Sequence, residues 1–159
     1  MESSRPASAE DIPRVVELAE LMRAELGAMR GGPLWVEREA WPEPLADAYD
    51  ALLARDDGLL LVGSIDDAVI AFAAVVVEQL RSGARLGVIT DLFVEPEARE
   101  VGVGEVLVDA LVEHSRAAGC IGIDATALPG HRATKNFFET HGFTARALAM
   151  HKRLGAEPT

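Results

Sequence analysis

The stretch Glu97 to Glu105, Glu-Ala-Arg-Glu-Val-Gly-Val-Gly-Glu, places Arg99, Gly102 and Gly104 directly before a run of helical periodicity. Glycine costs roughly 1 kcal/mol relative to alanine inside a helix, so a pair at a helix start needs a reason. One reason is close approach of backbone to a ligand, because the exposed amides of a helix N-terminus attract anions. A phosphate-binding P-loop needs Gly-Lys-Ser or Gly-Lys-Thr after its second glycine, and Glu105-Val106 follow here. A dinucleotide-binding turn needs a third small residue where Leu107 stands, inside a βαβ unit. Two readings remain: a turn that holds another kind of anion, and a turn that only starts a helix.

The elements around this turn set its context. Ile12, Val15, Val16, Leu18, Ala19, Met22 and Leu26 recur at near-helical spacing, with Gly27 as a stop. The Gly-Pro-rich stretch Gly27 to Trp35 carries no obvious element, and a second helix is expected across Glu43 to Asp57. The period then changes. Leu59 to Ile65, Ala68 to Leu80 and Arg85 to Val94 are rich in Val, Ile, Leu and Phe, and Asp66-Asp67 and Arg81-Ser82-Gly83 separate them, which predicts two antiparallel hairpins. A helix from about Gly102 to Ala118 follows, with Val103, Val106, Leu107, Ala110, Leu111 and His114 on one face. Next come a buried strand from Cys120, a short helix over Arg132 to His141, and a return of Gly142 to Leu154 as one or two strands. A short first strand is expected near Ser4 to Pro6. The fold class is therefore α/β in the α+β sense, a single domain over 1–159 whose central, mostly antiparallel mixed sheet is flanked by helices.

Charge narrows the partners. A net charge of −11, from 26 acidic and 15 basic side chains, argues against nucleic acid and favours approach of cationic small molecules such as amines. The single cysteine, Cys120, opens an apolar run and is expected as a small core residue, with no partner for a disulfide or a zinc site. The first residues lack the basic and apolar regions of a signal peptide, and the apolar run Ala68 to Val77 is far short of the ~20 residues that span a bilayer. A cytoplasmic protein without membrane partner or metal is the expectation.

Arg99-x-x-Gly102-x-Gly104, after a strand ending in Val94-x-Pro96, resembles the pyrophosphate-binding motif of the GNAT superfamily of N-acetyltransferases. Asn136-Phe137-Phe138-Glu139-Thr140-His141-Gly142-Phe143 is similar to that family's second signature, an aromatic-Tyr-Glu helix followed by Gly-Phe. The order of elements matches over nearly the whole chain. The resemblance implies a GNAT-like acyl-CoA N-acyltransferase fold with acetyl-CoA as co-substrate. It implies that the amides of Glu100, Val101, Gly102, Val103, Gly104 and Glu105 hold the pyrophosphate beside Arg99. It further implies that Leu92, Phe93 and Val94 end a splayed strand whose free backbone groups bind the pantetheine arm, with the Leu92 amide as oxyanion donor.

The pattern departs from the family at two places. Tyrosine is common where Phe138 stands, as acid for the departing thiolate, and phenylalanine has no proton to give; a core-facing aromatic pair is the other reading of Phe137-Phe138. Asparagine is common where His131 stands, seven residues earlier. On a helix that spacing is about two turns, so both side chains would project to one face, with His131 either a donor to the pantetheine arm or a surface cap. For the base that assists an attacking amine, Asp91 is the first candidate because it precedes Leu92, and Glu78 is the second. Asp124 could equally anchor backbone amides, and His114 is expected to pack. Trp35 and Trp41 lie in the family's acceptor-facing segment and could stack on a cation, while Arg30 and Arg38 could hold a carboxylate.

Two classes of function follow. The first is an acetyl-CoA-dependent N-acetyltransferase moving an acetyl group directly to a primary amine of a small molecule or protein. The second is a catalytically weakened GNAT-like domain that binds acyl-CoA as sensor or scaffold. The resemblance also implies a homodimer through the last strands or helices, where an uncovered strand edge would invite pairing.

Overall fold

The computed structural model describes residues 1–155, and residues 156–159 of the expected 1–159 domain lie outside the described residues. Five strands form one sheet in the order β1 (Glu2–Pro6), β2 (Gly58–Ile65), β3 (Ala68–Gln79), β4 (Arg85–Val94) and β5 (Cys120–Asp124). Neighbours are antiparallel except β4 and β5, which run parallel, as a strand-helix-strand connection requires. Asp66 and Asp67 both take positive φ in the β2–β3 turn, the backbone that matches the twist of a tight hairpin.

Each face of the sheet buries one cluster. Helices α1 (Ile12–Gly27), α2 (Gly32–Arg38) and α3 (Leu45–Leu53) cover Leu60, Val62, Phe72, Ala74 and Phe93. Helix α4 (Val103–Ala117) covers Leu61, Ala71, Ala73, Val75 and Ile89 with Val103, Leu107, Val108 and Leu111, and Phe138 of α5 (Arg132–Thr140) joins them. Val15 and Leu18 of α1 are fully buried, as the helical spacing predicts. Two residues outside that stripe complete the frame. Asp11 holds Arg5 through Nη1 at 2.7 Å and Nη2 at 2.9 Å, which ties the start of α1 to β1. Arg14 reaches Glu95 at the end of β4.

Three expectations are corrected. The Gly-Pro-rich segment contains a helix, α2, whose N-cap Gly31 adopts φ +80° and whose Pro33 sits in the first turn, where a missing amide hydrogen costs nothing. A side chain at Gly32 would meet the Leu26 carbonyl at 1.9 Å, so glycine lets α2 start against the end of α1. Strand β5 is not buried: it is the sheet's edge, and its Ile121 is exposed. Gly142 to Leu154 forms no strand among the described residues, and Leu148 and Met150 are 83% and 89% exposed. The start of this segment lies beside β5, where Arg146 bonds Asp124 and Phe143 packs on the α4 cluster, but no backbone ladder forms between them among the described residues.

Candidate active site

Register decides where the site opens. Pairing of β4 with β5 stops at Val88↔Asp124, while β4 stays paired with β3 to Ala71↔Val94. Residues after Val88 therefore have a neighbour on one side only. The Glu95 amide donates to the Ile70 carbonyl at 2.9 Å, and backbone polar groups alternate sides along a strand. Phe93 thus shares the β3 side, while Leu92 and Val94 direct amide and carbonyl to the open side. A cleft of about 400 Å³ fills the gap. Val88 to Val94 form its floor, Ala125 to Leu128 with His131, Thr134, Phe137 and Phe138 one wall, and Met22, Glu25, Trp35 and Glu39 another.

A one-residue bulge shapes this floor. Ala74 opposes Asp91 and Val75 opposes Ile89, so Thr90 opposes nothing on β3. An unpaired residue shifts side-chain phase by one and flips every later side chain to the other face. Ile89 accordingly packs beneath α4, whereas Phe93 packs beneath α1 and α3. Asp91, two residues after Ile89, turns to the α1–α3 face for the same reason. There Tyr49 donates its hydroxyl to Oδ2 at 2.8 Å, Trp41 donates Nε1–H to Oδ1 at 2.8 Å, and Thr90 donates its hydroxyl to Oδ1 at 2.7 Å. Asp91 is 3% exposed. Burial raises its carboxyl above the usual range, against the opposing pull of the bonds from Thr90, Tyr49 and Trp41.

At the other end of the floor, Gly102 takes φ +88° as N-cap of α4, and no side chain caps this helix. The first helical bond is Val106 N–H to the Gly102 carbonyl at 3.3 Å, which leaves the amides of Val103, Gly104 and Glu105 in the unpaired first turn. A side chain at Gly104 would point at Phe137 (3.5 Å) and Val94 (3.8 Å), into the cleft that Gly104 lines. Uncapped amides beside an open floor fit an anionic ligand. Glu100 and Val101 are exposed on the approach, while the Val103 side chain is buried beneath the sheet.

The other expected residues divide. His131 lines the cleft, but as the N-cap of α5 rather than two turns inside a helix with Phe138; its Nδ1 lies 2.8 Å from the Thr134 hydroxyl. Phe138 lines the cleft and is also core, 5.1 Å from the Phe143 ring. Arg99 lines the cleft, yet its guanidinium bonds the Val94 carbonyl at 2.9 Å and Glu25 at 2.8 Å and lies over the Phe93 ring. It fastens the turn to β4 and α1, and it occupies one of the two carbonyls that face the open side. Glu78 stands apart from the cleft: it is exposed, pairs with Leu86, and lies six β4 positions from Leu92, roughly 20 Å at ~3.3 Å per residue. Asp124 accepts from Arg146 Nε at 2.8 Å instead of anchoring amides, and His114 is half-buried. Neither the meeting of Trp41 and Tyr49 with Asp91 nor the place of Glu39 in the cleft wall has a local signal in the sequence. The bulge that brings the first two together has no signature in the alternation of β4.

A strand splayed from its parallel neighbour, beside a helix with an uncapped N-terminus, defines a mixed α/β fold with an open cleft at the splay. The chain belongs to the acetyltransferase (GNAT) family, whose profile matches residues 18–143. It is 30% identical over 142 residues to glucosamine 6-phosphate N-acetyltransferase 1 of Oryza sativa subsp. japonica, covering 86% of this chain and 83% of that protein. Its fold is similar to a tetramutant of the BH1408 protein from Bacillus halodurans, with TM-score 0.81, 19% identity and coverage of 95% and 99% of the two chains. It is also similar to glucosamine-6-phosphate N-acetyltransferase from Arabidopsis thaliana, with TM-score 0.70, 19% identity and coverage of 98% and 99%. Among the described residues no helix is long and apolar enough to cross a membrane.

Proposed function

We propose that this acetyltransferase uses acetyl-CoA and moves the acetyl group directly onto a primary amine. The observation that carries the reading is the continuity of the cleft. It joins the free amides at Val103 to Glu105 to the open-side amide of Leu92 on one surface. An extended thioester with an anionic end would lie along it, pyrophosphate over Gly102 to Glu105, pantetheine along Leu92 to Val94 and carbonyl toward the Leu92 amide. His131 and Phe138 would flank the arm from α5.

The acceptor side supports a cationic amine. Of the cleft's carboxylates Asp91 is sealed and Glu25 holds Arg99, which leaves Glu39, 3.6 Å from exposed Arg38, to meet a cation, while Arg99 is already engaged. The rice relative's name gives it a phosphorylated amino sugar, and a phosphate here would find no unengaged arginine or lysine among the described lining residues. Trp35 adds an aromatic wall. The test is thiol release from acetyl-CoA with spermidine, glucosamine, glucosamine 6-phosphate and a lysine peptide. Turnover is expected with spermidine or the peptide; preference for glucosamine 6-phosphate would overturn the cationic acceptor, and binding of acetyl-CoA without any release would favour the sensor reading that Phe138 motivates.

We also propose a homodimer within the cytoplasm. The exposed Leu148, Met150 and Leu154 and the open edge of β5 support a second copy of this chain as the cover. Sedimentation giving a concentration-independent monomer mass would remove it.

A further inference from the structure

Asp91 lies one residue from the proposed oxyanion donor, but its carboxylate faces away from the open side, sealed by Tyr49, Trp41 and Thr90. A fully buried carboxylate cannot meet an amine directly. Thr90 can. It is half-buried, lines the cleft, and as the bulged residue is released from the β3 ladder. Its hydroxyl proton is committed to Asp91 Oδ1, so both oxygen lone pairs remain free to accept. Two strand positions, roughly 7 Å, separate it from the Leu92 amide. A thioester carbonyl bound at that amide places an attacking nitrogen, ~3 Å from its carbon, within direct or one-water reach of the hydroxyl.

We propose that Thr90 is the group that receives the proton from the acceptor amine, its own hydroxyl proton passing to Asp91. The inference rests on the transferase reading above. The neutral amine's lone pair forms the N–C bond, and the N–H proton moves to Thr90 Oγ1 as the Thr90 proton moves to Asp91 Oδ1. The C–S bond breaks with its electron pair on sulfur. The proton returns from Asp91 through Thr90 to the thiolate, directly or through a water, so amine and thioester give amide and thiol with nothing gained or lost. This route also supplies the proton that Phe138 cannot. The pair is insulated. Around Asp91 stand Tyr49 from α3, whose hydroxyl burial and the Asp91 charge push far above its usual range, and beyond it Arg23 from α1. Trp41, whose carbonyl Arg23 holds at 3.1 Å, and Ala74 of β3 carry no titrating group. Glu25, Glu39, Arg99 and His131 share the cleft with Thr90.

The experiment compares Thr90→Val and Thr90→Ser with the wild type, using the fastest amine of the four-amine panel, across pH 5 to 9. Thr90→Val keeps the β-branched shape and removes the hydroxyl. It should lower kcat by about 10²-fold, the low end of general base catalysis, and turn the profile into a rise that follows the free amine alone. Thr90→Ser should restore kcat to within several-fold of wild type and recover its profile. Acetyl-CoA affinity by calorimetry and the melting temperature should stay near wild type in both. Thr90→Val with wild-type kcat and profile overturns the relay while leaving the transferase intact, and a loss confined to KM or stability makes Thr90 structural. Binding of acetyl-CoA by a wild type that acetylates none of the four amines removes the relay together with the transferase reading.

Discussion

Replacing Gly104 by alanine separates stability from ligand binding, because the two respond with opposite sign. Gly104 is the second residue of α4. A methyl there would stand 3.5 Å from the Phe137 ring and 3.8 Å from Val94, ordinary contacts that require nothing to move. Alanine is better than glycine in a helix interior by up to about 1 kcal/mol, partly realised in a first turn. For a chain of this size that corresponds to a rise in melting temperature of roughly 2–4 °C at most. The same methyl occupies the space through which an anion reaches the first-turn amides. Forfeiting one charge-assisted hydrogen bond costs about 1.5–3 kcal/mol, which is roughly 10- to 150-fold in affinity. Valine adds two more carbons in the direction of the cleft and should abolish measurable binding. The assay is calorimetric titration with acetyl-CoA beside thermal unfolding for wild type, Gly104→Ala and Gly104→Val. Unchanged affinity in a folded Gly104→Val would refute the placement of the pyrophosphate over this turn, whatever the melting temperature does.

Phe138→Tyr should raise kcat several-fold, less than the ~10²–10⁴-fold of a newly positioned acid, since the Thr90 relay already returns a proton; steady-state kinetics with one active amine shows whether kcat moves while acetyl-CoA affinity stays. A hydroxyl that instead turns into the core beside Phe143 would appear as a loss of about 1–3 kcal/mol in denaturant unfolding. Glu100→Gln should tighten acetyl-CoA about two- to fivefold at low ionic strength and by less at 0.5 M salt, because the exposed carboxylate sits on the anion's approach. Asp11→Asn should lower stability at neutral pH by on the order of 1–2 kcal/mol, allowing for screening of the half-exposed Arg5. The hydrogen bonds from Arg5 and the Ser8 amide hold the Asp11 carboxyl at about 2, below its usual 3.8. The folded state therefore favours the ionised form, and the contribution is complete above pH 4 and vanishes as pH falls toward 2. Melting curves for wild type and variant should converge over that window, and a constant difference down to pH 2 would contradict it.

The elements that read most clearly in the sequence are those whose pattern is local. The stripe of α1, the paired aspartates of the β2–β3 turn and the Val-Ile-Leu runs of β2 to β4 each specify their own conformation. Helix α2 escaped because its glycines and proline read as loop chemistry, whereas Gly31 supplies a left-handed N-cap, Gly32 a close crossing and Pro33 a first turn. The last segment misled for the opposite reason. Residues 143–147 alternate like a strand, but the alternation ends in the apolar run Ala147 to Met150, and no backbone ladder to β5 forms even where Arg146 reaches Asp124.

The site divides along the same line. Gly102 and Gly104 announced a helix N-terminus without a side-chain cap, because a left-handed N-cap and a missing side chain are properties of single residues. The face on which Asp91 emerges is not such a property. Burial alternates along β4 without interruption from Gly87 to Phe93, so the strand reads as unbroken. Yet Ile89 and Phe93 lie on opposite faces, and only the register of β3 against β4 records the extra residue between them. Without the bulge, Asp91 would follow Ile89 under α4, among Leu107 and Leu111, with no donor for its carboxylate. With it, the same residue meets Tyr49 from α3 and Trp41 from the loop before it, and the displaced Thr90 is left unpaired at the cleft. One inserted position thus buries the carboxylate, supplies its donors and sets at the cleft the residue proposed to connect it to the acceptor.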